Sequence, residues 1–383
     1  MSDAARTSDP SLSEITAPAA ARLEGVDFAR AIAFLGMMMV NFHIYIHNAE
    51  TDPAWMTQLA SLFSGRAAAT FVFIAGIGTA LLTARWRRTR SVEDRRAARM
   101  SLFKRGIFLF IVGVSFRAQW PYDILHFYGV YLALGALLFT FNARWLTVFA
   151  IITPLIFVAE YLVLPPAFGW DYWESPSFHN PLVAFRDVFF TGHHPVFPWF
   201  AYFLAGMAVG RLDLHKSANH WRLLIGGAIL IALAKTIKWA MGDGLNLVKL
   251  LPVEDWGPGY ALNYIADLFG TSAYPPTPLY VMFGLGTGMI VLSLSLMICA
   301  SDARRKLFKP VIHAGQMALS LYLAHVFIGV TGIEWFLPRE MESIYWLYGI
   351  VIAFFIASMI FATIWRRYHK RGPVEWAMRR LVD

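Results

Sequence analysis

Ten apolar segments, at about 28–46, 67–84, 103–118, 124–141, 145–164, 196–210, 221–241, 278–299, 311–333 and 343–364, decide what this chain can become. A bilayer core about 30 Å thick is crossed by about 20 helical residues at 1.5 Å each. In lipid only helices and closed barrels satisfy their own backbone, and a barrel strand needs about ten residues. The expected fold is therefore all-α, a polytopic membrane helix bundle of about ten transmembrane helices. Charged residues are 15% of the 383, against roughly 25% in a soluble globular domain. One bundle fits that better than two or three soluble domains.

Basic residues orient the bundle. The connections at 85–105, 142–145, 211–222 and 300–310, with the two termini, hold 25 of the 33 Lys and Arg. Such an excess marks the cytoplasmic side, so both termini are expected there. The net charge of +8 is spread over short loops rather than one patch, which argues against a nucleic-acid partner. The basic loop 85–105 reads as an anchor, or as a landing surface for a phosphate-bearing donor or anionic lipid. Residues 1–22, rich in Ser, Ala and Thr, read as a disordered cytoplasmic tail and 23–365 as the transmembrane bundle. Residues 366–383 read as a basic cytoplasmic or interfacial tail, in which Pro373 can begin a short helix. Cys299 is the single cysteine, so no intrachain disulfide forms.

This topology gathers polar groups at the outer ends of the helices. The first helix brings Asn41, His43 and His47, the second starts at Arg66, and the third ends at Arg117. WPYDILHFYGVY carries Asp123 and His126, three residues apart on one helical face. A carboxylate there can set the imidazole tautomer for a general base, or can cap the helix beneath packed aromatics. His325 lies deeper, as a structural hydrogen-bonding group or a catalytic one. Arg66 and Arg117 are snorkelling interface residues or, together, a site for an anionic group. His193 and His194 precede the sixth helix. With His43 and His47 they could in principle hold a metal, but no HExxH or paired Cys supports one, and no metal is expected. Gly76 and Ala80 stand at small-xxx-small spacing, which serves close helix packing.

Six separated motifs then carry a resemblance: LEGVDFARAIAFLGMMMVNF, WPYDILHFYGVYLALGALL, PWFAYFLAGMAVGRLD, PPTPLYVMFGLGTGM, GQMALSLYLAH and RGPVEWAMRRL. Their order resembles the YeiB-like family of bacterial inner-membrane proteins. That family is similar to the transmembrane acyltransferases that include heparan-α-glucosaminide N-acetyltransferase. The resemblance implies a multi-pass inner-membrane protein that takes an acyl group from acyl-CoA on the cytoplasmic side. The acceptor would be a glycan or lipid-linked sugar on the other side. Asp27 and Arg30 match the family's first-helix pattern; Ala31 replaces its Gly, and Asn41 stands where its His would be.

The reading is an acyl-CoA-dependent acyltransferase with a histidine base. Asp123–His126 and His325 lead as candidates, with His43 third. Asp27, Arg30, Asn41, Arg66, Arg117, His194 and Tyr274 are candidate substrate contacts, and aromatic residues of the outer loops would stack on a sugar. A transporter of a small anionic or amphipathic solute, using Arg30, Arg66 and His325, is the alternative; a non-catalytic scaffold is the third class. At 100° per residue, Asp27, Arg30 and Asn41 fall near one stripe of the first helix, while His43 and His47 share another.

Overall fold

The computed structural model describes residues 23–46, 52–163, 180–247, 265–336 and 343–382. Residues 1–22, 47–51, 164–179, 248–264, 337–342 and 383 lie outside them, and the expectations for the tail 1–22 and for His47 and His179 fall there. In chain order the helices are α1 (Glu24–His43), α2 (Ala54–Ser61), α3 (Arg66–Leu82), α4 (Ala84–Thr89), α5 (Val92–Ser115) and α6 (Leu125–Leu138). They continue as α7 (Ala143–Val163), α8 (Pro181–Arg186), α9 (Val196–Val209), α10 (Ser217–Lys238) and α11 (Pro278–Cys299). The last are α12 (Asp302–Leu307), α13 (Lys309–Gln316), α14 (Ala318–Ala324), α15 (Thr331–Phe336), α16 (Ile344–Tyr368) and α17 (Pro373–Val382). π-Helical turns at Asp187–Thr191 and His325–Val330 follow α8 and α14. No strand occurs among the described residues, and the described part of each of the ten apolar segments is mainly helical.

Seven helical stretches are long and apolar enough to cross a membrane by length and composition. The other three are of a different kind. α6 and α9 have 14 residues each, roughly 21 Å of helix. Both are largely interior helices, with Phe127, Tyr131, Trp199, Tyr202 and Phe203 buried, although Leu137 in the last turn of α6 is exposed. α5 has 24 residues, but Arg95, Arg96, Arg99, Lys104 and Arg105 crowd its first 14. Ser91 caps it by accepting from the Asp94 N–H at 3.0 Å. Pro278 starts α11, where Thr277 Oγ1 accepts from the Tyr280 N–H at 3.1 Å.

α1 is the central helix. Of its apolar window 72% is buried, against 17% for the stretch containing α10, and it packs on α3, α11, α13 and α16. Its acidic first-turn residues Glu24 and Asp27 suit the positive end of the helix dipole. α3 crosses α9 where a side chain on Gly76 would overlap the Phe203 carbonyl and one on Gly206 the Phe73 carbonyl. One turn on, Ala80 meets Gly210, so the small-residue spacing seen in the sequence is this crossing.

The apolar segment 311–333 is not one helix. It breaks at Met317, where φ is −117° and ψ is 24°. The break leaves the first N–H groups of α14 without helical partners. α17 supplies one: Glu375 Oε1 accepts from the N–H groups of Leu319 at 2.9 Å and Ser320 at 3.1 Å, and its other oxygen takes the Ser320 hydroxyl. Lys104 Nζ of α5 donates to the Val382 carbonyl at 3.1 Å. The 373–382 stretch of the expected tail is thus bonded to α5 and α14.

Candidate functional site

Two cavities lie along α1. The first, about 320 Å³, is lined by Arg30, Arg105, Tyr128, Gln316, Glu375 and a ring of leucines. The second, about 290 Å³, is lined by Asn41, Ser64, Tyr122, His193, His194 and Tyr274 over an apolar floor. Tyr322 lines both.

The Arg30 end is built on an ion pair. Arg30 Nη1 donates to Asp27 Oδ1 at 2.7 Å and to the Gly315 carbonyl at 3.2 Å, while Gln316 Nε2 donates to Asp27 Oδ2 at 3.3 Å. Gly315 is required here because a side chain would overlap the Asp27 carbonyl. Asp27 is 4% exposed, so it holds Arg30 in place rather than reaching a ligand itself. Arg30, its side chain 26% exposed, lines the cavity.

At the Asn41 end, α1 meets the π-turn after α14. Asn41 Nδ2 and His325 Nε2 are 2.8 Å apart, and His325 Nδ1 bonds the Tyr322 carbonyl. A carbonyl can only accept, so Nδ1 carries the proton and Nε2 presents its lone pair to the Asn41 amide. Phe34 and Phe42 close over the imidazole, which is fully buried.

Behind Tyr322 runs a second polar chain. Asp123 accepts from the Leu125 and His126 N–H groups at 3.0 and 3.1 Å, so it caps α6. It also takes the His126 Nδ1 proton at 2.8 Å. Capping and imidazole pairing, alternatives on sequence grounds, are both present. His126 Nε2 faces Arg117 Nη1 at 3.4 Å, and Arg117 bonds both oxygens of Asp187, at 3.0 and 3.4 Å. Tyr322 Oη donates to Asp123 Oδ1 at 3.3 Å.

The second cavity has an aromatic wall. The His193 ring stacks on Tyr122 at 4.7 Å and 11°, and meets Tyr274 edge-on at 5.6 Å. The Tyr274 hydroxyl donates to the His193 carbonyl at 3.4 Å, and the Tyr131 hydroxyl to that of His194 at 2.5 Å. Burial, with Arg117 and His126 nearby, pushes the His193 imidazolium down to about 4. Burial lowers His194 as well, with His193 and His126 adding to it. An unfolded His titrates near 6.5, so between about 6.5 and 4 the unfolded chain binds more protons than the folded one. Stability should fall as pH drops through that window. The melting temperature of the purified protein between pH 7 and 4.5 checks this, and His193→Gln is expected to flatten the decline.

The structure distributes the sequence candidates unequally. Arg30 lines the first cavity; Asn41, His194 and Tyr274 line the second. His325 sits directly behind Asn41, and Asp123–His126 behind Tyr322. His43 ends α1 and is not among the residues lining either cavity. Arg66 Nη1 donates to the Leu62 carbonyl at 2.8 Å while its guanidinium covers the Phe283 ring at 4.4 Å. That arrangement closes off the end of α2 rather than lining a cavity. Arg117 is committed to Asp187 and His126. Sequence reasoning passed over Tyr322, Tyr122, Gln316, Asp187 and Glu375. Two of these had a signal: Tyr322 lies three residues before His325, and Glu375 lies in the GPVEW motif.

A family model described as heparan-alpha-glucosaminide N-acetyltransferase, catalytic, matches residues 22–241, and one described as protein of unknown function (DUF418) matches 276–383. The chain is also similar to the uncharacterized protein YeiB of Escherichia coli (strain K12), 34% identical over 83 residues. That stretch is 21% of this chain and 21% of YeiB, so the match spans about a fifth of the curated relative. With more than half of its length matched by the first model, this YeiB-like, multi-pass membrane chain belongs to the heparan-alpha-glucosaminide N-acetyltransferase catalytic family and is acyltransferase-like.

Proposed function

We propose that the protein transfers an acyl group from acyl-CoA, bound in the Arg30 cavity, to a hydroxyl or amine of a glycan or lipid-linked sugar in the Asn41 cavity. The observation that carries this is the pair of cavities meeting at Tyr322 beside the Asn41–His325 pair. In this reading the Arg30 end faces the cytoplasm of a bacterial inner membrane, with both termini on that side. The first cavity suits the acyl-pantetheine arm: leucines line it and Arg30 and Arg105 offer positive charge to phosphates. The Tyr122–His193 stack and Tyr274 suit the face of a sugar ring.

His325 acts as the base. Asn41 yields Nε2 to the acceptor, the acceptor oxygen or nitrogen attacks the thioester carbonyl, and its proton moves to Nε2. The C–S bond then breaks, and the departing thiolate takes that proton. Asp123–His126 holds the wall behind the reacting atoms rather than touching them. Purified protein in lipid should bind acyl-CoA and move a labelled acyl group to a sugar acceptor. No CoA binding at any chain length would sink the proposal, and uptake of acceptor into proteoliposomes without a donor would replace it with transport. A reporter fused after Asp383 that reads periplasmic would reverse the sides.

A further inference from the structure

Tyr322 lines both cavities, with Leu125 beside it on the Arg30 side and Ile124 on the Asn41 side. Tyr322 is the residue common to both linings. On α3, Ala75 lines the first cavity and Ala68 the second, seven residues or about 10 Å apart on one helix face. The phenol is held on the turn that opens α6. It donates to Asp123 Oδ1 at 3.3 Å and accepts from the Ile124 N–H at 3.4 Å. Asp123 is fixed in turn by the His126 ring and by two backbone N–H groups.

The backbone under Tyr322 is interrupted on both sides. α14 has seven residues, between the break at Met317 and the π-turn that begins at His325. Such interruptions commonly mark places where a helix adjusts.

We propose that Tyr322 is a removable partition, latched shut by Asp123, whose displacement joins the two cavities into one passage. What passes rests on the acyl-transfer reading above; the partition does not. A tyrosine suits this role because its ring can block the opening while its hydroxyl, 3.3 Å from Asp123 Oδ1, holds it by a long hydrogen bond that can be given up. A buried phenol that leaves its partner must find another. A donor carbonyl or an acceptor hydroxyl supplies that partner, so opening follows occupancy of either cavity.

The chain's single cysteine makes the test direct. In a Cys299→Ser background, Ala75→Cys and Ala68→Cys are each exposed to a membrane-impermeant thiosulfonate from one face of oriented vesicles. The expected result is modification of Ala75→Cys from one face only and of Ala68→Cys from the opposite face only. Tyr322→Ala then permits modification from both faces. Tyr322→Phe and Asp123→Asn, which keep the ring, raise the far-face rate about tenfold, the shift expected from weakening one hydrogen bond to a charged group. Labelling that stays one-faced in both Tyr322→Ala and Tyr322→Phe overturns the proposal. So does two-faced labelling before Tyr322 is altered, or no labelling of either position from any face. None of these readouts needs a donor. A protein that shows the expected pattern yet transfers no acyl group refutes the proposed reaction and leaves the partition standing.

Discussion

Under the proposed reaction, His325→Gln is expected to lower kcat for acyl transfer between about a hundredfold and ten-thousandfold, the range a positioned general base supplies, and to leave the donor KM nearly unchanged. The split follows from geometry. His325 is fully buried behind Asn41 and is not among the residues lining the Arg30 cavity, where the donor would bind. Its tautomer is set by the Tyr322 carbonyl, so the variant loses an oriented lone pair rather than a binding contact. Asn41→Ala should cost less, because the imidazole remains and only its aim is lost. Steady-state kinetics with donor and acceptor varied in turn separate the two. If folded His325→Gln kept its kcat while folded His126→Ala lost it, the base would be His126.

The largest stability effect is expected at Arg117. Its side chain is 13% exposed and that of its partner Asp187 is 7% exposed. Burial raises the Asp187 carboxyl against the opposing pull of Arg117, so the carboxylate depends on that guanidinium. Removing one member of a buried pair strands the other and costs about 3–5 kcal/mol. Arg117→Ala should therefore lower the unfolding midpoint strongly and loosen His126, which also faces Arg117 Nη1. Arg117→Met combined with Asp187→Leu should recover most of the loss, since a buried pair replaced by apolar groups of similar size is often neutral. Thermal unfolding in detergent measures both variants. Equal destabilisation by the single and the double change would show that the pair is not what holds this loop.

Hydropathy located the helices because lipid demands long apolar runs, and those runs survive any choice of partner. The 100° periodicity also separated Asn41 from His43 on α1, and the structure puts Asn41 in a cavity lining that does not include His43. Asp123 and His126 were legible as a pair because their partnership is local. What could not be read is who meets whom across the bundle. Asn41 and His325 are 284 residues apart, and Arg117 finds Asp187, 70 residues on, in the turn that precedes α9. Pairings between helices in lipid depend on close packing at small residues such as Gly76 and Gly206, whose partners no periodicity announces. The break at Met317 was hidden for a similar reason. Its sequence is apolar and helix-compatible, and the carboxylate that satisfies its open N–H groups comes from Glu375, 55 residues beyond Ser320.

α1 runs unbroken from Glu24 to His43 and carries both Arg30 and Asn41. Eleven residues of continuous helix put their backbones about 16 Å apart, a span written in covalent geometry rather than in side-chain packing. Under the proposed reaction, that span sets the length of arm a donor must have to keep its phosphates at Arg30 while its thioester reaches Asn41. A truncated thioester lacking the nucleotide would touch one end only. Deleting a single residue between the two positions would shorten the span little, yet turn Asn41 through about 100° and away from His325.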